Sequence, residues 1–600
     1  MAAPSASGPG NLSSSDSFSR PRAGSKSKPS PAADPILRNA LRYTITSREY
    51  EKLHKFVLSR SRVLRRKVPS PTAMEKYMDG SSGRRSSSEA SHDLPQPRGS
   101  DKSKGARPKA GEPTAAGDTY NARAVRHALR VFIVTNVGMK AYEVLMARIK
   151  GGQSAVASKS KEPFYRSATM RLSLSLSTIL LLYRLLFRFL SRLRAHLLDP
   201  SAMPFRQRNP RTAQALTSPI APAVGASLAG LALGVYPSSQ FRLSVAIYTI
   251  FRALEFGWNM LEGDGTIWGF RARAGGKGLI KNERPWWWGS WMLQPLAFGQ
   301  LLHAAIFDRD CAPAPLLALL FKGSSTYLHE APANLPASMQ WLDPAGVADN
   351  LAEMAKLKWP SFVSPAMFPG QQTLPASLVA LAPLTAQAHP LITSLSCATL
   401  HPSDPSCART TLTFWAQTLP RIGRVVLLFY SLMMLPKFKL LYNSPLYLIN
   451  KLLAKSLRMS TFVTGSLSTF WASICFFQNW FPRNFFATQR FFLGGFLAGL
   501  WAFIERKSGH GMFMYTARAS VDSLWKVGVK RRWWKAMRGG DVWVFVLALA
   551  VTGAVYERDA AAIREASWRK GVSWLQGTDY RDWGFEDEED EKDGDRSKDD

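Results

Sequence analysis

The sequence predicts an all-α, polytopic integral membrane protein with two related Gly-rich helical hairpins, a disordered basic N-terminal region and an acidic C-terminal tail. Three observations carry that prediction. Apolar stretches near the ~20 residues that a helical crossing needs recur between Val131 and Val555, separated by basic and Trp-bearing loops. A Gly-rich hairpin at 217–258 returns in weaker form near the other end of the chain. Both ends are very polar, so a mean hydropathy of −0.12 averages a polar periphery with an apolar middle. The net charge of +34 over 600 residues fits basic loops that face anionic lipid headgroups. No zinc knuckle, ribonucleoprotein-type motif or basic-zipper pattern accompanies it, so nucleic acid is not expected as a partner. Four Cys make no disulfide framework, and a reducing environment fits most of the chain.

Taken in order, residues 1–36 lack the apolar surface to offset ordering entropy and are expected to be disordered. No secretory signal peptide is expected. The Ser-, Ala- and Pro-rich start partly resembles a mitochondrial presequence, but Pro9, Pro21, Pro29 and Pro31 oppose an amphipathic helix. A basic amphipathic helix is expected within 37–68. Thr46 and Glu49 form a capping box, Leu53, Phe56, Val57 and Leu64 follow at helical spacing, and the run Arg60–Lys67 is cationic. Residues 69–122 read as a second disordered linker.

The first membrane half is placed at 123–321. Segments 131–149 and 172–190 open it; Arg184 and Arg188 in the second must snorkel or face a protein interior. In the hairpin, Ala226, Gly230 and Gly234 stand four residues apart, which puts small side chains on one helix face and lets another backbone approach. Pro237-Ser238-Ser239 turns the chain. The returning arm, 241–258, carries Arg242, Arg252 and Glu255, and the spacing of Arg252 and Glu255 allows a local ion pair. A basic Gly-rich loop at 262–285 lacks the spacing of a phosphate-binding loop. The indoles of Trp286, Trp287, Trp288 and Trp291 suit a headgroup layer.

Residues 322–408 are Pro-rich and read as a central loop. The second half, 409–560, resumes with apolar segments at 412–435, 461–481 and 485–504, and a last short one at 542–555. Leu497-Ala498-Gly499-Leu500 repeats Leu228-Ala229-Gly230-Leu231, with Gly495 and Gly499 as the small pair. Tyr515-Thr516 repeats Tyr248-Thr249, and Arg518-Ala519 repeats Arg252-Ala253. The Gly-to-Arg spacings are 22 and 19, so the match needs a short gap. Arg518 and Asp522, four apart, form the second expected ion pair. Duplication of this kind suits multi-pass proteins. The halves are expected to dock through the Gly faces, and the total is six to nine membrane segments. Residues 561–600 are expected to be an acidic disordered tail, with ten carboxylates against three bases over 585–600.

Two constellations invite chemistry. His303 and Asp308 have the His-x4-Asp spacing of glycerolipid acyltransferases, in which His acts as base and Asp orients it; Asp308 equally reads as a charged helix end. His389, Cys397, His401 and Cys407, at spacings of 8, 4 and 6, match no standard zinc finger. Zinc, a Cys397–Cys407 disulfide and plain core packing all stay open. No Gly-x-Ser-x-Gly elbow, Walker motif or dinucleotide fingerprint occurs, and no cofactor is expected.

The Gly-rich span ending in Tyr236-Pro237, Arg252-Ala-Leu-Glu255, Pro285-Trp-Trp-Trp-Gly289 and the Cys-His-Pro-Ser loop at 397–403 resemble fungal members of the transmembrane protein 135 family. More distantly, the hairpins are similar to the superfamily of mitochondrial inner-membrane translocase channels and small peroxisomal membrane proteins. The resemblance covers about 120–560. It implies an all-α, multi-pass protein of peroxisomal or mitochondrial membranes, linked to lipid metabolism and organelle dynamics, and it implies no reaction and no catalytic residue. The function expected is a non-enzymatic role in passage or distribution of lipids or metabolites. The alternatives are a lipid-modifying enzyme using His303 and Asp308, and a membrane tether or scaffold. Expected partners are membrane lipids, through anionic headgroups at the basic loops, and a second copy of the chain.

Overall fold

The computed structural model describes residues 54–55, 115–149, 167–272, 279–328, 341–368, 374–435, 442 and 444–578. Residues 1–36, most of the N-terminal basic helix, residues 69–114 of the second linker, the tip of the basic loop and residues 579–600 of the tail lie outside them. The expectation of disorder fails at 115–122 and at 566–576, which are helical, the latter with Val572 buried. Two compact units divide the chain, 1–158 and 159–600. In the first, α1 runs over Ala115–Ile149.

The second unit is almost wholly helical among the described residues. It opens with α2 (Ala168–Leu198), whose first turn is capped by the Ser167 hydroxyl accepting from the Met170 amide. Short helices α3 (Met203–Arg208), α4 (Pro210–Thr217) and α5 (Ala221–Ala226) lead into a 3₁₀ segment, Ser227–Val235. Small residues and Gly permit that tighter winding. Ser238 then caps α6 (Ser239–Gly263). Strands β1 (Phe270–Ala272) and β2 (Leu279–Lys281) form a two-stranded antiparallel ribbon with Phe270 opposite Lys281. Next come α7 (Leu293–Phe307) and α8 (Ala314–Lys322).

The Pro-rich stretch is not an open loop where it is described. It holds α9 (Pro344–Lys356), α10 (Ala382–Thr385) and α11 (Leu395–Leu400), and its prolines sit mainly at helix starts or between helices, where the missing N–H costs nothing. Leu351, Met354, Leu378, Leu381 and Leu400 are fully buried in the largest core of the unit, with Phe414, Phe470 and Trp471. Five helices follow that core. They are α12 (Cys407–Met434), α13 (Pro445–Trp480), α14 (Arg490–Gly499), α15 (His510–Lys530) and α16 (Gly540–Arg558). The last, α17 (Ala566–Gln576), closes the described chain.

The two Gly-rich regions follow the same course. Each begins as α-helix, tightens to 3₁₀ (Ser227–Val235 in one, Leu500–Glu505 in the other) and turns into a long helix, α6 or α15. Each lies on the long helix before it, α2 or α13, and that helix supplies a serine to a carbonyl of the Gly-rich run. Ser175 Oγ donates to Ala232 O at 2.9 Å and Ser466 Oγ to Ala498 O at 3.0 Å. The covering helices are crossed. The first Gly-rich segment and α6 are covered by α16, from the end of the chain, whereas α14 and α15 are covered by α7, from the first half.

Two helices among the described residues are long and apolar enough to cross a membrane, α2 and α16. The pair Pro210–Thr217 and Ala221–Val235 passes the same test together but bends by 86° at the break. Six to nine crossings are therefore not all present as long apolar helices. The reason is compositional: α7 is 15 residues long, α14 is 10 residues long before it tightens, and α13 interleaves Ser456, Ser460, Thr464, Ser466, Ser468 and Ser473 among its apolar residues, all buried.

Candidate functional site

The predicted Gly faces lie at helix crossings. A Cβ on Gly499 would stand 2.4 Å from Pro295 Cα and 2.6 Å from Pro295 N, and one on Gly495 would stand 2.6 Å from Phe298 O. Backbone meets backbone here, so only hydrogen fits. At Gly230 the nearest atoms are side-chain carbons of Phe545, Val546 and Leu549, at 3.1–3.2 Å, and at Gly234 the nearest is Val542 Cγ2 at 3.7 Å. Ala226 is fully buried beside Tyr183. At all four glycines the neighbour belongs to the crossing helix, α7 or α16, and not to the other Gly face.

The charged residues gather where α6 meets α15. Arg252 pairs with Glu255 at 3.0 Å and with Glu565 at 3.0 Å, and Glu255 also accepts from His510 at 2.8 Å. Arg518 does not pair with Asp522. Its guanidinium lies over the Tyr248 ring, 4.7 Å from the centroid, and its Nε donates to the Met514 carbonyl at 3.1 Å. Asp522 instead takes Lys526, at 2.6 Å, one turn further on. The repeated Tyr and Arg thus interlock across helices: Tyr248 of α6 receives Arg518 of α15.

A second ion pair joins the ends of crossing helices. Arg242 Nε donates to Asp541 Oδ2 at 2.6 Å, linking the starts of α6 and α16. At the far end of α6, Glu262 is nearly buried and accepts from Arg284 at 2.8 Å and 2.5 Å and from the Trp268 indole at 3.0 Å. This two-pronged bond from Arg284 holds the Glu262 carboxyl below the usual carboxylate range. Around it the indoles form a cluster, with Trp288 stacked on Trp258 at 5.8 Å and edge-on to Trp268 at 5.6 Å.

His303 and Asp308 do not form a dyad. Asp308 ends α7 and binds Arg531 at 2.6 Å and Lys530 at 3.4 Å. The His303 ring packs on Phe307, 4.7 Å between centroids, and makes no hydrogen bond to Asp308.

Near the start of α12 lies a group that the sequence shows only in part. Cys397, His401 and Cys407 converge, as their spacing allows, but the fourth member is Cys475 of α13 rather than His389. His389 turns aside and accepts the Leu391 amide at 3.2 Å. The four thiols of the chain, Cys311 included, are free. Compared with known proteins, the chain matches no protein-family profile and no solved structure.

Proposed function

We infer that the protein is a non-enzymatic, multi-pass integral membrane protein of the peroxisome or mitochondrion, of the transmembrane protein 135 kind. In this reading it supports passage or distribution of lipids or metabolites, and through that the upkeep of the organelle. The observation that carries it is a continuous apolar surface on long helices. On α12, Val425, Leu428, Phe429, Leu432 and Met433 form one exposed stripe at helical spacing, with Leu428 73% exposed; Phe189 of α2 and Leu547 of α16 add to the outer apolar surface. Serines, threonines and Arg184 are buried beside the apolar core. An apolar outer face, with an arginine kept off the lipid, is the arrangement a bilayer favours. The parallel course of the two Gly-rich regions, with matching serine bonds from α2 and α13, supports descent of the two halves from one hairpin-bearing unit. The engagement of Asp308 by Arg531 and Lys530 supports a non-enzymatic role over acyl transfer, because Asp308 is directed to those cations and makes no hydrogen bond to His303.

Reconstitution tests this directly. The purified chain is placed in phospholipid vesicles that hold a fluorescent phospholipid in the bilayer and small carboxylates in the lumen. Faster transbilayer movement of the lipid or faster release of a carboxylate than in empty vesicles, with no new lipid species, is expected. Neither moving faster, or acyl exchange appearing, would overturn the reading.

A further inference from the structure

We propose that Cys397, His401, Cys407 and Cys475 bind one zinc ion in a closed, structural site of three thiolates and one imidazole that clamps the Pro-rich region to α13.

Four local features bring the ligands together. Cys397 lies in α11, His401 ends that helix, and Cys407 is the first residue of α12. Cys475 projects from the C-terminal half of α13. Cys397, His401 and Cys475 are buried, and Cys407 is half-buried.

Three of the six separations are close to the edges of a zinc-centred tetrahedron. Cys407 Sγ and Cys475 Sγ each lie 3.4 Å from His401 Nε2, and Cys397 Sγ lies 3.9 Å from Cys407 Sγ. All four ligand atoms fall within 4.8 Å of one another. With Zn–S of about 2.3 Å and Zn–N of about 2.0–2.1 Å, a regular tetrahedron has S···S edges of about 3.8 Å and S···N edges of about 3.5–3.6 Å. An iron–sulfur cluster puts several atoms between its ligands and would hold them further apart. A disulfide would use two thiols and leave the third thiol and the imidazole unexplained.

The imidazole is already oriented. Its Nδ1 lies 2.7 Å from the Asp404 carbonyl, which can only accept, so Nδ1 carries the proton and the Nε2 lone pair faces the thiols. That outer bond comes from the loop between His401 and Cys407, whose length the ligands fix at both ends. Three thiolates and a neutral imidazole in a buried pocket call for a divalent cation, and soft tetrahedral ligation by three sulfurs and one nitrogen suits zinc. Four protein ligands leave no open position for substrate, so the ion's work is to hold parts together.

Elemental analysis of the full-length chain, purified in detergent under reducing conditions without a metal-binding tag, reads the site. About one zinc per chain is expected for the wild type and for His389→Ala, whose ring lies outside the cluster. Cys475→Ser should retain less than about a tenth of that zinc, since one of the four ligands is lost. Because that variant could misfold, cobalt(II) exchange into the wild type gives an independent reading: the intense visible d–d bands of a tetrahedral site, with thiolate-to-cobalt charge transfer in the near ultraviolet, are expected. A wild-type chain from zinc-supplemented cells that holds no zinc and gives no such spectrum would overturn the proposal. So would peptide mapping that finds Cys397 and Cys407 joined as a disulfide.

Discussion

At Gly499 and Gly230 the same residue type meets two different neighbours, and the consequences differ. Gly499 abuts the Pro295 backbone, which cannot yield without moving α7, so Gly499→Ala should cut steady-state abundance severalfold. Gly230 abuts side-chain ends, which can give by a few tenths of an ångström, so Gly230→Ala should stay near wild type while Gly230→Leu should not. Immunoblotting of the three variants at matched transcript level checks both statements. Glu262 offers a pH reading. Arg284 depresses its pKa in the fold, so its contribution is present above the unfolded carboxylate value of about 4.3 and is lost as pH falls through the lower folded value. Thermal melts in detergent should find Glu262→Gln less stable than wild type at neutral pH, with the gap closing below about pH 4. The sequence made Arg252 and Glu255 legible as a pair because three residues separate them on one helix. It did not make Arg518 legible: Asp522 has both Arg518 and Lys526 one turn away, and Arg518 finds the Tyr248 ring, which only the tertiary fold presents. Cys475 was equally hidden, since it lies 68 residues after Cys407 and no local spacing announces it.

Among the elements, the decisive feature is the crossing of α7 and α16. Recurrence of the Gly-rich run could be read from the chain, and so could the small faces, because four-residue spacing is a local property of a helix. Which helix fills each face could not, because α16 reaches Gly230 from more than three hundred residues away. The Pro-rich stretch misled for a related reason: its prolines mark helix starts or the links between helices, and its leucines find their core only when α12, α13 and α14 are in place. Cysteine pairs test the crossing. Gly234→Cys with Val542→Cys should form a disulfide on mild oxidation, given a Cβ position 3.7 Å from Val542 Cγ2. Gly234→Cys with Leu296→Cys, on the exposed side of α7, should not, and mobility on a non-reducing gel distinguishes them.

In the second unit, the account rests on an exposed apolar surface around an apolar core that also buries serines, threonines and Arg184. The all-helical class followed from the sequence because period and composition are averages that survive local error. The number of crossings did not, because an apolar segment can bury against lipid or against another segment, as α7, α13 and α14 do. The measurement that tests the central claim most directly is alkaline carbonate extraction of membranes from cells expressing the full-length chain. The account predicts that the protein stays in the membrane pellet with known integral proteins and leaves it only on addition of detergent. Its recovery in the carbonate supernatant would contradict the account.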